Sequence, residues 1–122
     1  MTDGGALPLA LSDQVDGLKA EGLVAATVTA GHAFGGDREA VTVPGALLAA
    51  RWLLGADLAV VAMGPGSVGT GTAPGFSGLE QAWILDAVAA LGGTLVAAAR
   101  LGFADPRPRH RGLSHHARTN LG

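Results

Sequence analysis

The sequence predicts an α/β fold: a small, mainly parallel three-stranded sheet with helices packed on it, Rossmann-like in its winding. Three observations lead there. Residues 23–30, 57–63 and 94–101 are apolar runs of strand length with no 3.6-residue period. They alternate with stretches of helical periodicity of ten or more residues, the length a right-handed crossover needs. Pro and Gly punctuate those stretches at the ends where helices start and stop.

Residues 6–21 read as the first helix, with Pro8 tolerated in its first turn and Leu7, Leu11, Val15 and Leu18 on one face. Gly22 ends it. Residues 23–30 follow as a buried strand, then Gly31-His-Ala-Phe-Gly-Gly-Asp37 as a loop and the mixed run 38–43. A second helix runs from Thr42 through Leu54, with Pro44 near its start and Gly55 just past its end. Residues 57–63 form the second strand. Ser77-Gly-Leu-Glu80 has capping-box spacing and starts a third helix that ends near Gly92-Gly93. Residues 94–101 are the third strand. Beyond Phe103, Pro106 and Pro108 at alternate positions exclude helix and central strand, leaving an Arg/His-rich tail. The organisation expected is an α/β domain over residues 1–104, with residues 105–122 packed on or near it.

A chain of 122 residues is long enough to bury roughly two-thirds of its unfolded surface. The apolar fraction of 48% includes 24 Ala, and 20 residues are Gly, so layers should be thin. With no Cys there are neither disulfides nor thiolate metal ligands, and a reducing, cytoplasmic setting is expected. No signal-peptide pattern opens the sequence. The longest apolar tract, residues 87–99, is interrupted by Gly92-Gly93 and falls short of the ~20 residues that span a bilayer. The net charge of -2 hides an asymmetry: residues 100–122 carry five Arg against Asp105, a local +4, leaving -6 for the rest. The tail has no aromatic for base stacking and the remainder is acidic, which argues against nucleic acid as a partner. Three strands leave exposed edges, so a homo-oligomer or the remainder of a longer chain is the expected partner.

In a parallel sheet the loops leaving the carboxyl ends of the strands share one edge, where ligands bind. That placement brings three unusual stretches together: the His32/Asp37 loop, the Gly64–Thr72 loop and the Arg/His tail. Gly64, Gly66, Gly69 and Gly71 allow close approach of a ligand, and Ser67, Thr70 and Thr72 supply hydroxyls, the means by which loop N–H groups hold an anion. The loop is neither a Walker A sequence nor the dinucleotide fingerprint. Arg107, Arg109 and Arg111, placed on one side of an extended segment, would neutralise a phosphate-bearing ligand. His32, Asp37, His115 and His116 are the candidates for proton transfer, and His110, His115 and Asp105 for a metal, although their spacing matches no strong metal motif. Trp52 and Trp83 lie in helical patterns and read as core or dimer contacts. The function expected is binding of a small anionic ligand; the alternatives are a His/Asp-dependent, metal-assisted hydrolase or transferase, and a non-enzymatic assembly module. Neither cofactor nor substrate can be named from these residues.

The runs Thr2–Leu9, Gly31–Val41, Met63–Thr72, Gly75–Glu80 and Phe103–His116 resemble the bacterial family of domain of unknown function 3866. The resemblance extends over essentially the whole chain. It implies no established activity, and it implies that the chain matches the later part of longer proteins. A more local likeness links residues 57–103 to the phosphate-loop region of tubulin-like GTPases, whose loop reads Gly-Gly-Gly-Thr-Gly-Thr-Gly. Here Pro65, Ser67 and Val68 interrupt that pattern and the guanine-binding elements have no room, so the likeness reads as convergent phosphate-loop chemistry.

Overall fold

The computed structural model describes residues 1–2 and 7–122; the start of the first predicted helix, Ala6, and part of the run from Thr2 lie outside the described residues. The chain divides into two compact units, Met1–Gly66 and Ser67–Gly122.

In the first unit a 3-10 turn at Leu9–Leu11 precedes α1 (Asp13–Ala20). The helix starts there because the Ser12 hydroxyl accepts from the Val15 N–H at 3.3 Å, and Asp13 and Asp16 complement its N-terminal dipole. β1 (Val28–Ala30) lies parallel to β2 (Arg38–Ala40), with Val28 opposite Arg38 and Ala30 opposite Ala40. α2 (Val43–Leu48) is capped by the Thr42 hydroxyl, carries Pro44 in its first turn, and widens into a π-helical turn at Ala49–Leu53 before Gly55 at φ 66°.

In the second unit, Gly69 and Phe76 form an antiparallel bridge and a 3-10 turn at Ser77–Leu79 leads into α3 (Glu80–Ala90). The chain returns through β3 (Leu101–Gly102), which pairs antiparallel with β4 (Gly112–Leu113), and closes with α4 (His115–Leu121). Among the described residues, Leu9, Ala30 and Ala33 are the buried apolar residues of the first unit and Ile84 that of the second.

The expected three-stranded parallel sheet is therefore corrected: among the described residues there are two sheets of two strands each, one parallel and one antiparallel. Of the apolar run 23–30 only Val28–Ala30 is paired, and its partner comes from the mixed run 38–43, which apolar patterning does not mark. Local polar bonds select that partner. The Asp37 carboxylate accepts from the Thr27 N–H (2.8 Å) and hydroxyl (2.9 Å), while the Asp37 N–H donates to Thr27 Oγ1 at 3.0 Å. Lys19 Nζ reaches both carboxylate oxygens at 2.8 Å. Parallel pairs ordinarily need a crossover of a dozen or more residues. Residues 31–37 suffice here because three-residue strands span only about 10 Å, and Gly31 and Gly35, at φ 66° and 83°, turn the chain sharply.

Residues 57–63 do not pair with β1 because the first residues of the chain stand between them. The Met1 ammonium donates to Val28 O at 2.6 Å, Ala30 N–H to Met1 O at 3.0 Å, and Thr2 N–H to Ala62 O at 2.9 Å. Burial lowers the Met1 ammonium pKa. An open apolar hollow of about 1030 Å³ lies beside this junction, within the first unit. Residues 94–100 are likewise outside any ladder, and Val60 and Val96 are 82% and 88% exposed. Trp52 and Trp83 are 80% and 67% exposed rather than core residues.

Candidate functional site

The tail is folded, not extended. Pro108–His110 forms a 3-10 turn, so Arg107, Arg109 and Arg111 do not have the alternating spacing of a strand. Gly112, the first residue of β4, sits at φ 72°, a conformation that penalises any residue with a Cβ. Ser114 then caps α4, accepting from the His116 N–H at 3.3 Å. The same hydroxyl, on a residue only 3% exposed, lies 3.3 Å from His110 Nδ1. One buried serine thus links the Pro108–His110 turn to the helix that follows β4.

The consequence is a group of three imidazoles. One ring nitrogen from each of His110, His115 and His116 lies within 4.8 Å of the other two. Ring centroids are 4.9 Å apart for His110–His115, 5.3 Å for His110–His116 and 4.1 Å for His115–His116. Phe76 stacks on His116 at 4.2 Å with a 22° interplanar angle and meets His115 edge-on at 6.1 Å. The group is half-buried. Desolvation first, then the Arg107 charge, lowers the His110 pKa; desolvation followed by the neighbouring His115 and His110 lowers that of His116. Neutral imidazole, the form that binds metal, is favoured on both.

Asp105, the carboxylate offered as a metal ligand, is engaged by Arg107. It accepts from the Arg107 N–H (2.9 Å), Nε (3.0 Å) and Nη2 (2.9 Å), and the pair holds its pKa far below the usual carboxylate range. Arg109 Nε–H donates to His110 Nε2 at 3.4 Å. Arg118 donates twice to Leu113 O, bracing the turn into α4. Arg111 is exposed.

The glycine loop largely satisfies itself. Thr70 N–H donates to Gly75 O at 2.6 Å, Val68 N–H to Ser77 Oγ at 3.2 Å, and Thr72 N–H to Thr70 Oγ1 at 3.3 Å. The Thr70 and Thr72 hydroxyls bond each other at 2.9 Å, and those of Ser67 and Ser77 at 3.3 Å. The Ser77 hydroxyl that capping-box spacing assigns to the helix is thus turned toward the loop. Gly71 is exposed at the tip, Gly69 faces Phe76, Gly66 adopts φ 98°, and Gly64 is buried. In the first unit, His32 is exposed and Asp37 braces Thr27 and Lys19.

The three-His group unites residues that linear spacing divides between two roles: His115 and His116 as acid/base candidates, His110 and His115 as metal candidates. Spacing alone misses the group because the 3-10 turn, Gly112 and the Ser114 cap fold the interval back on itself. Ser114 directly before His115 is the available signal, an N-cap residue opening a helix after a proline-rich stretch. For Phe76 no sequence signal points to the imidazoles.

The family described as "Protein of unknown function (DUF3866)" matches the chain over residues 1–122. The chain belongs to that family. No curated protein and no solved structure matches this DUF3866 chain, and nothing in the comparisons supports the likeness of its loop to tubulin-like GTPases. Among the described residues of this DUF3866 chain, no helix is long and apolar enough to cross a membrane.

Proposed function

We propose that the second unit binds a divalent transition metal of the zinc class through His110, His115 and His116, and that the centre serves metal-assisted hydrolysis or group transfer. The observation that carries this reading is the approach of three imidazole nitrogens to within 4.8 Å of one another. Three His ligands with a fourth position open are the donor set of catalytic zinc, whereas structural zinc is closed by four protein ligands. A cation held this way acidifies a water molecule and polarises a carbonyl or phosphoryl oxygen.

The chain's own residues prepare the ligands. Because Nε2 accepts from Arg109, a neutral His110 carries its proton on Nδ1, which then donates to Ser114 Oγ, the kind of outer bond that fixes tautomer and ring angle and presents the Nε2 lone pair. Phe76 covers one face of His116 and excludes water from it. Equilibrium dialysis of the full chain against cobalt or zinc tests the reading. One metal per chain is expected, with His115→Ala lowering affinity about tenfold or more and His32→Ala leaving it unchanged. Uptake by wild type that fails to saturate, or equal uptake by His115→Ala, overturns it. The exposed apolar residues of 57–63 and 94–100 also favour self-association, so the working form is proposed to be a homo-oligomer.

A further inference from the structure

We infer that the open position of this centre takes an oxyanion, a phosphate or carboxylate group, and that Arg109 is the side chain that clamps it. The inference rests on the three-His reading. Imidazoles bind as neutral ligands, so three of them leave the full charge of a divalent cation uncompensated. The carboxylate beside the group, Asp105, already takes three hydrogen bonds from Arg107. Charge balance at the centre thus calls for an anion in the fourth position.

Arg109 is placed to recognise that anion. Its Nε–H donates at 3.4 Å to His110 Nε2, the same lone pair that His110 would give to the metal. Were His110 Nε2 given to a metal, this weak bond would be lost and the Arg109 donors would be free for another acceptor beside the group. A guanidinium offers paired N–H groups matched to two oxygens of a phosphate or carboxylate. Of the arginines near the turn, Arg107 is held by Asp105 and Arg118 by Leu113 O, while Arg111 is exposed and Arg109 is the one bonded to an imidazole of the group. The Gly/Thr loop, by contrast, has its Val68, Thr70 and Thr72 N–H groups bonded internally.

Visible absorption of the cobalt-loaded full chain, titrated in parallel with inorganic phosphate and with acetate, tests the inference. Saturable change in the cobalt bands is expected with at least one of the two, and the stronger arm identifies the oxyanion. Arg109→Ala should weaken that binding about tenfold or more while cobalt affinity stays equal or rises, because the competing donor to His110 is gone. Arg109→Lys should restore part of it. Cobalt bands that respond to neither anion, or respond equally in wild type and Arg109→Ala, overturn the anion clamp and leave the metal centre standing. If Arg109→Ala loses cobalt, Arg109 is a structural brace and the clamp is likewise overturned. Absence of cobalt bands in the wild type removes the metal reading and the clamp together.

Discussion

Asp37 shows how far a residue's role depends on what surrounds it. Lys19, then Thr27, hydrogen-bond to its carboxylate and hold its pKa down at about 2, against an ordinary value of 3.8. A carboxylate so engaged is a brace and a poor proton acceptor near neutrality. Its folded-state pKa is depressed, so the stability it contributes is present above about pH 4 and is lost as pH falls toward 2. Circular dichroism across that interval should show wild type losing stability progressively, with Asp37→Asn less stable at neutral pH and its acid slope flatter. Equal acid slopes in the two proteins would refute the assignment. His110, a metal candidate already in the sequence, is the converse case: the structure sets its Nδ1 beside Ser114 and its ring beside those of His115 and His116.

At the scale of elements, turn chemistry outweighs apolar patterning. β1 and β2 are parallel neighbours because Gly36 lets the loop pass against them: a Cβ there would meet Thr29 N at 2.9 Å and Arg38 O at 3.0 Å, both backbone atoms. Gly36→Ala should accordingly destabilise the protein by about 1–3 kcal/mol, since the strand pair must open to admit a methyl group. Gly17, inside α1, has open space where a methyl group would sit and no positive φ. Gly17→Ala should stabilise by about 0.5–1 kcal/mol through helix propensity. Thermal melts of the two variants should therefore move in opposite directions. The start of α2 was legible in the sequence because the Thr42 cap and Pro44 act locally, whereas α1 begins at Asp13 behind a separate 3-10 turn instead of at residue 6, and the Ser77 turn begins where expected without the expected side-chain cap. α4 was not legible, because its seven mostly polar residues carry no apolar stripe to reveal it.

At the scale of the molecule, each unit keeps apolar surface that its own residues leave uncovered. Val60 in the first unit and Val96 in the second lie exposed in apolar runs outside any ladder. Such edges are templates for another chain. Sedimentation velocity at tens of micromolar should show wild type larger than a monomer, and Val60→Lys with Val96→Lys should shift it toward the monomer while retaining the circular dichroism of the folded chain. A wild type that sediments as a monomer throughout would refute the proposed homo-oligomer.

Read on its own, the sequence determined the local matters: the punctuation of α2 by Thr42, Pro44 and Gly55, which runs are apolar, and that the end of the chain is basic and carries three of the four histidines. It did not determine strand partners, because a continuous apolar run specifies burial without specifying which neighbour supplies the hydrogen bonds. Tertiary structure alone decided that β1 pairs with β2, that Met1 and Thr2 stand between β1 and residues 57–63, and that His110 meets His115 and His116. Those are meetings between groups separated along the chain, and they depend on turns such as Pro108–His110 whose direction no linear spacing encodes.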